Sequence, residues 1–174
     1  VYKNHEAAAG ASLPHPHSQV TASPFVAPIA AEELRRSTDH HESEGRCLRC
    51  DVLAEVTRTR ERVVLERGPI LAVAPFAARV PFETTLATAE HQARFEHADE
   101  GTLRAMASTL GTILRRIRVA LADPAYTLTL HTAPRGAAVE ATHWHLNVVP
   151  RLVPLAGFEW GTGTYINPTR PEEA

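Results

Sequence analysis

The chain has 174 residues, a formal net charge of -2, 44% hydrophobic and 22% charged residues, the make-up of one ordinary globular domain with some additional chain. No basic excess marks a nucleic-acid binder, no apolar run approaches the roughly 20 residues that a membrane span needs, and the N-terminus lacks the charged-then-apolar layout of a secretory signal. The expectation is a cytoplasmic protein that engages neither nucleic acid nor membrane.

Near the N-terminus, Ala7 to Leu13 is a run of small residues that lets a backbone approach a ligand closely. It leads into Pro14-His15-Pro16-His17-Ser18-Gln19. On an extended strand the side chains alternate faces, so His15, His17 and Gln19 share one side. A neutral imidazole is nucleophilic near pH 7 without an activating base, since its unperturbed pKa is about 6.5, and a phosphoryl or nucleotidyl group can be held on it covalently. Taken alone, a His-Pro-His run reads equally as an exposed turn or an adventitious metal site.

Residues 26–45 read as a polar connector. The two cysteines, Cys47 and Cys50, are spaced as a metal half-site or a redox pair. A redox pair wants a strand before it and a helix starting at it, and the polar Ser43-Glu44-Gly45-Arg46 in front favours the metal reading. Arg62–Glu66 and Ile70–Ala74 flank Gly68-Pro69 and predict a hairpin, with Phe82–Leu86 as a further strand. Asp99 caps a predicted helix running to about Ala122, with Leu103, Met106, Leu110, Ile113, Leu114, Ile117 and Leu121 as its core stripe and Asp123-Pro124 as its stop. Tyr126–His131 and His143–Val149 alternate as strands. His143-Trp144-His145-Leu146-Asn147 also repeats the His-x-His-x-amide pattern of residues 15–19. Antiparallel strands with a helix on one face make an α+β unit. His5, His40, His41 and His97, and the pairs Arg35-Arg36 and Arg115-Arg116, read as solvated surface.

Two long stretches carry a family resemblance. Asn4 followed by Gly10 to Gln19 resembles the active-site strand of galactose-1-phosphate uridylyltransferases, of the histidine-triad superfamily. Ala156 to Pro168, followed by Pro171-Glu172-Glu173-Ala174, resembles the C-terminal segment of the same family, in the branch that includes plant-type ADP-glucose phosphorylase. The resemblance implies a histidine-triad-like antiparallel half-barrel with flanking helices, preceded by the last strand of a similar, mostly absent first half. On that basis residues 1–25 end the first half, 26–45 connect, 46–155 form the second histidine-triad-like domain and 156–174 form a sugar-binding and dimer arm. A chain that begins at Val1 and enters the catalytic strand so soon reads as a partial protein or a truncated gene product, and a GTG start written as Val would also account for it.

The resemblance also implies roles. His17 is the nucleophile, and Asn4, Ser12 and Gln19 contact the phosphates, Gln19 by donating an amide hydrogen bond where charge develops. Gln at this position, instead of a third histidine, suits expulsion of a good leaving group and leans toward transferase over hydrolase. Phe158 and Glu159 match positions that bind hexose hydroxyls across a homodimer interface. Zinc is expected on Cys47, Cys50, His91 and His143, although Ala87-Thr88 stands where Leu-Pro usually precedes the histidine. Other members instead gather Glu33, His131, His143 and His145 around iron or zinc. His15 matches the ligand of a first-half zinc whose partners are missing from this chain. Glu6 stands where the family has glycine, and its carboxylate would repel a nucleotide phosphate.

The function expected first is exchange of UMP between UDP-glucose and galactose 1-phosphate through a uridylyl-histidine, with nucleotide sugar and sugar 1-phosphate as partners. An ADP-sugar phosphorylase or other adenylyltransferase of the same fold is the second reading, and a non-catalytic, zinc-stabilised dimerisation fragment the third.

Overall fold

The computed structural model describes residues 1–13 and 15–174. One antiparallel sheet of six strands organises them: β1 (Tyr2–His5), β2 (Val63–Arg67), β3 (Ile70–Val73), β4 (Thr84–Thr88), β5 (Tyr126–His131) and β6 (His145–Pro150), in the order β1-β5-β6-β4-β3-β2. The helices are α1 (Pro28–Glu44), α2 (Leu48–Thr59), α3 (Glu100–Ala120) and the short α4 (Gly157–Thr162). The sheet is open, and the α+β class with helices against an antiparallel sheet is as expected.

Alternation decides which side chains meet which helix. On one face Ile70, Ala72, Leu86, Leu128, Trp144 and Val148 pack with Met106, Ile113 and Ile117 of α3. On the other face Leu71, Val73 and Ala87 pack with Leu53 and Val56 of α2. All of β3 is therefore buried. The same alternation puts Thr127, Thr129 and His131 of β5 opposite to Leu128 and Leu130, whereas Asn147 of β6, opposite to Val148, accepts from the Thr85 hydroxyl at 2.8 Å. The second face thus carries polar groups beside its apolar ones.

The hairpin forms at Gly68-Pro69, with Gly68 at φ 54, and pairs Arg67 with Ile70. Asp99 caps α3 by accepting from the Thr102 amide at 2.8 Å. Leu103, expected in the core stripe, is instead 37% exposed, because the buried line of α3 runs through Thr102, Met106, Thr109, Ile113 and Ile117 and Leu103 lies to one side of it.

The N-terminal half adds detail to the expectations and changes one of them. Most of residues 26–45, read as a polar connector, form α1. Its polar surface hides it from an apolar-periodicity reading, and exposed pairs such as Arg35 with Glu32 and with Asp39 support it. Arg36 also pairs with Glu32 at the surface, as the solvated reading of the arginine pair anticipates. A helix begins at the cysteine pair, with Cys47 as the N-cap of α2, and α1 precedes it instead of the strand that a redox reading needs, in keeping with the metal reading. Last, the His-x-His-x-Gln run is no strand among the described residues. Pro16 has no N–H to give a ladder, and Pro14 lies outside the described residues. Pairing resumes only at Gln19, which exchanges both backbone bonds with Tyr2, at 3.0 and 2.8 Å. The regular strand of this region is β1, which pairs with β5.

Candidate functional site

The edge of the sheet at β1 carries the first group of candidate residues. His17 Nδ1 lies 3.0 Å from the carbonyl of His15. A carbonyl only accepts, so Nδ1 carries the proton and the lone pair of the neutral ring is on Nε2. The His15 and His17 rings are 5.6 Å apart, which keeps them on one side although the segment is not a strand. Gln19 Oε1 accepts from the Tyr2 hydroxyl at 2.8 Å, and its NH2 has no partner among the described residues. Asn4, Ser12 and His15 come together around a cavity of about 300 Å³ that Glu6 also lines. Its wall is fixed by the Glu6 carbonyl, which accepts from the Ala9 and Ala11 amides at 3.1 Å each. His17 and Gln19 do not line that cavity, and His15 belongs to no metal-binding group among the described residues.

The second group lies where α2 begins under the ends of β4 and β6. Cys47, Cys50, His91 and His143 each offer a donor atom within 4.8 Å of the others. Cys50 Sγ is 3.3 Å from His91 Nδ1 and 3.5 Å from His143 Nδ1. His91 Nε2 donates to the Val139 carbonyl at 3.0 Å, which fixes its Nδ1 as a lone pair aimed inward. His143 Nε2 meets the Thr88 hydroxyl at 2.8 Å. Ring nitrogens turned outward to such partners orient histidine ligands for a metal. Burial, then the neighbouring His91 and Arg49 charges, push His143 down to about 4, so its ring is neutral at pH 7. Burial and the neighbouring Cys47 push the Cys50 thiol up to about 12, a shift that a bound cation reverses. Two sulfurs and two imidazoles at this spacing suit a four-coordinate zinc.

The third group, expected to compete with the second for His143, stands apart instead. Glu33 of α1, His131 of β5 and His145 of β6 gather their donor atoms within 4.8 Å without His143. His131 Nδ1 is 3.2 Å from Glu33 Oε2, and the two imidazoles stack at 4.5 Å and 19°. Arg49, which no sequence signal singles out, donates to Glu33 Oε1 at 2.8 Å. A cavity of about 800 Å³ adjoins this group, lined by the apolar Val26, Ala30, Leu34 and Val52 as well as by Glu33 and Arg49.

Several histidines expected to be solvated are engaged. His5 stacks on Tyr126 at 4.6 Å and His40 Nε2 meets Asp51 at 2.9 Å, whereas His41 Nδ1 is buried with no hydrogen-bond partner among the described residues. His97 is exposed, as expected. In the C-terminal arm Phe158 is 52% exposed, and Glu159 accepts from the Ala156 amide at 3.0 Å as the cap of its own helix. Neither lines either cavity.

No family model matches the chain. It is 38% identical over 176 residues to ADP-glucose phosphorylase of Arabidopsis thaliana, covering 99% of this chain and 49% of that protein. It is 28% identical over 183 residues to galactose-1-phosphate uridylyltransferase of Thermotoga maritima, covering 100% of this chain and 57% of that protein. Among solved structures, the Arabidopsis ADP-glucose phosphorylase with bound ADP-glucose superposes with a TM-score of 0.90 at 37% identity, over 98% of this chain and 55% of that one. A uridylyltransferase superposes at 0.91 and 27% identity, over 99% of this chain and 56% of that one. The chain therefore spans about half the length of these relatives. With agreement in both sequence and fold, the chain belongs to the galactose-1-phosphate uridylyltransferase family, of whose members it matches about half.

Proposed function

We propose that this chain carries the covalent strip of a nucleotidyltransferase acting on nucleoside diphosphate sugars and sugar 1-phosphates. The observation that carries the reading is the His17 tautomer: with Nδ1–H held by the His15 carbonyl, Nε2 is a lone pair at a partly exposed position. In the proposed step His17 Nε2 attacks the α-phosphorus and forms the N–P bond as the bond to the sugar 1-phosphate oxygen breaks. The sugar 1-phosphate leaves with that electron pair, and the positive charge gained by the ring is eased by the hydrogen bond to His15. A phosphate oxygen of the acceptor then attacks the same phosphorus and returns the electron pair to Nε2. The free amide of Gln19 and the polar side chains of Asn4 and Ser12 are assigned to the phosphate oxygens.

Cys47, Cys50, His91 and His143 would hold a zinc that crosslinks the start of α2 to the sheet and takes no part in the transfer. Phe158 and Glu159 are assigned to hexose hydroxyls, reached from the partner protomer of a homodimer. UMP exchange between UDP-glucose and galactose 1-phosphate is one form of this reaction. The 38% identity to ADP-glucose phosphorylase favours the adenylyl form.

Incubation with UDP-glucose or ADP-glucose labelled at the α-phosphate tests the proposal and separates the two forms. The expected result is an acid-labile label on the protein that His17→Ala abolishes, with the better donor naming the base. Absence of label at saturating donor rejects covalent transfer by this chain and leaves the reading of a zinc-stabilised, non-catalytic piece.

A further inference from the structure

Glu33, His131 and His145 look at first like a second place for a divalent metal, with one carboxylate and two imidazoles converging from α1, β5 and β6. Their donor atoms are already engaged. His145 Nδ1 lies 3.2 Å from the His143 carbonyl, so that nitrogen carries the proton and Nε2 is the acceptor of the neutral ring. Arg49 Nη2 lies 3.3 Å from this Nε2 and 2.8 Å from Glu33 Oε1. One guanidinium nitrogen thus sits on the lone pair of His145 and on the carboxylate, the same two atoms that a metal would need. Glu33 Oε2 is taken up by His131.

We infer that Arg49 is the resident cation of this cluster, so that the Glu33–His131–His145 site is closed to divalent metal and works as a strut between α1, α2 and the sheet. An arginine is suited to that place because it is charged at all working pH values and its planar fork engages two acceptors at once. Its charge is fixed a few ångströms from where a second cation would bind and repels it. Supporting this, burial opposes ionisation of Glu33, but the His131 hydrogen bond, then the neighbouring His145 and Arg49, outweigh it and bring the carboxyl down to about 2. The neighbouring cysteine cluster differs in its hydrogen bonding: the Arg49 charge acts on His143 there too, but among the described residues the inward nitrogens of His91 and His143 face Cys50 and not a guanidinium. Arg49 also lies between Cys47 and Cys50, on the first turn of α2. Whatever anchors the two cysteines anchors the strut as well.

Metal content is the deciding measurement. The purified chain and its variants are saturated with Zn2+ or Co2+, dialysed, and measured by mass spectrometry against protein concentration. The wild-type content is expected to be unchanged by His131→Ala and lost in Cys47→Ser/Cys50→Ser. Arg49→Met, which keeps the stem and removes the charge, is expected to bind one ion more than wild type, and adding His131→Ala removes that extra ion. With Co2+ the extra ion shows weak visible bands without thiolate charge transfer. A wild-type metal that disappears in His131→Ala overturns the inference. So does a folded Arg49→Met that binds no extra ion. Should Arg49→Met fail to fold by circular dichroism, wild type is compared with His131→Ala and Glu33→Gln: equal metal content in all three supports the inference, and a loss in either variant overturns it. These readouts involve no nucleotide, so they stand or fall separately from the transfer at His17.

Discussion

Glu6 offers a sharp test of how the cavity of about 300 Å³ beside β1 is built. Its backbone sits at φ 70, ψ 156, a region that glycine alone enters freely, and holding another residue there costs of order 1–3 kcal/mol. The conformation is imposed by its surroundings, because the Glu6 carbonyl accepts from the Ala9 and Ala11 amides and so shapes the loop that bears Ser12. Glu6→Gly removes the Cβ strain and adds about 0.5–1 kcal/mol of chain entropy to be lost on folding. The expected balance is a stabilisation of roughly 0.5–2 kcal/mol, or about 1–8 °C in Tm for a chain of this size. Glu6→Ala keeps the Cβ and is the reference. At an ordinary position glycine is the less stable of the two, whereas here the order inverts.

The same pair of variants reports on charge. Glu6 lines the cavity, and its carboxylate lies 3.7 Å from His5 Nε2. A like charge about 4 Å from a phosphate in a water-like dielectric costs about 1 kcal/mol, roughly fivefold in affinity. Both variants should therefore bind nucleotide sugar about fivefold more tightly in calorimetry at low salt, although only the glycine variant gains stability in urea titrations. A Glu6→Gly chain less stable than Glu6→Ala refutes the strain at this position. Affinity unchanged in both places the carboxylate outside the phosphate's reach.

Acid stability follows from the buried imidazoles. In the metal-free chain His145 is pushed down to about 3 and His143 to about 4, in both cases chiefly by burial. Both stay neutral in the folded state, where the unfolded chain titrates near 6.5. Stability is therefore full above pH 6.5 and falls as pH drops toward 4, by on the order of 2–3 kcal/mol for each histidine by pH 4.5. A urea midpoint that stays level between pH 7.5 and 4.5 contradicts this, and His145→Gln should remove about half the slope. Asp99→Ala, which deletes the cap on the Thr102 amide, is expected to lower stability by about 1 kcal/mol, measured in the same titration.

What the sequence reveals depends on whether one physical signal dominates a segment. β5 is legible because Tyr126-Thr127-Leu128-Thr129-Leu130-His131 puts its apolar side chains on the α3 face and its polar ones on the other. α3 is legible from Asp99 and the spacing of Met106, Ile113 and Ile117. α1 has no buried residue, so its signal is ion pairing at helical spacing, which a search for an apolar stripe passes over. The cysteine centre is legible in its residue types, and its donors do converge. The role of Arg49 is not, because its partners Glu33 and His145 stand 16 and 96 positions away and an arginine inside a Cys-x-x-Cys pair carries no local mark.

The echo between residues 15–19 and 143–147 shows why pattern alone stops short of chemistry. In both copies the Nδ1 of the second histidine faces the carbonyl of the first, so the repeat itself fixes the tautomer and presents Nε2 outward. At His145 that nitrogen is buried against Arg49 and is spent as an acceptor. At His17 the same nitrogen stands at a partly exposed position, two residues before an amide whose oxygen accepts from Tyr2. A lone pair becomes a nucleophile only where an electrophile can reach it. The surroundings of the two copies, not their sequence, therefore assign one to structure and make the other the candidate for catalysis.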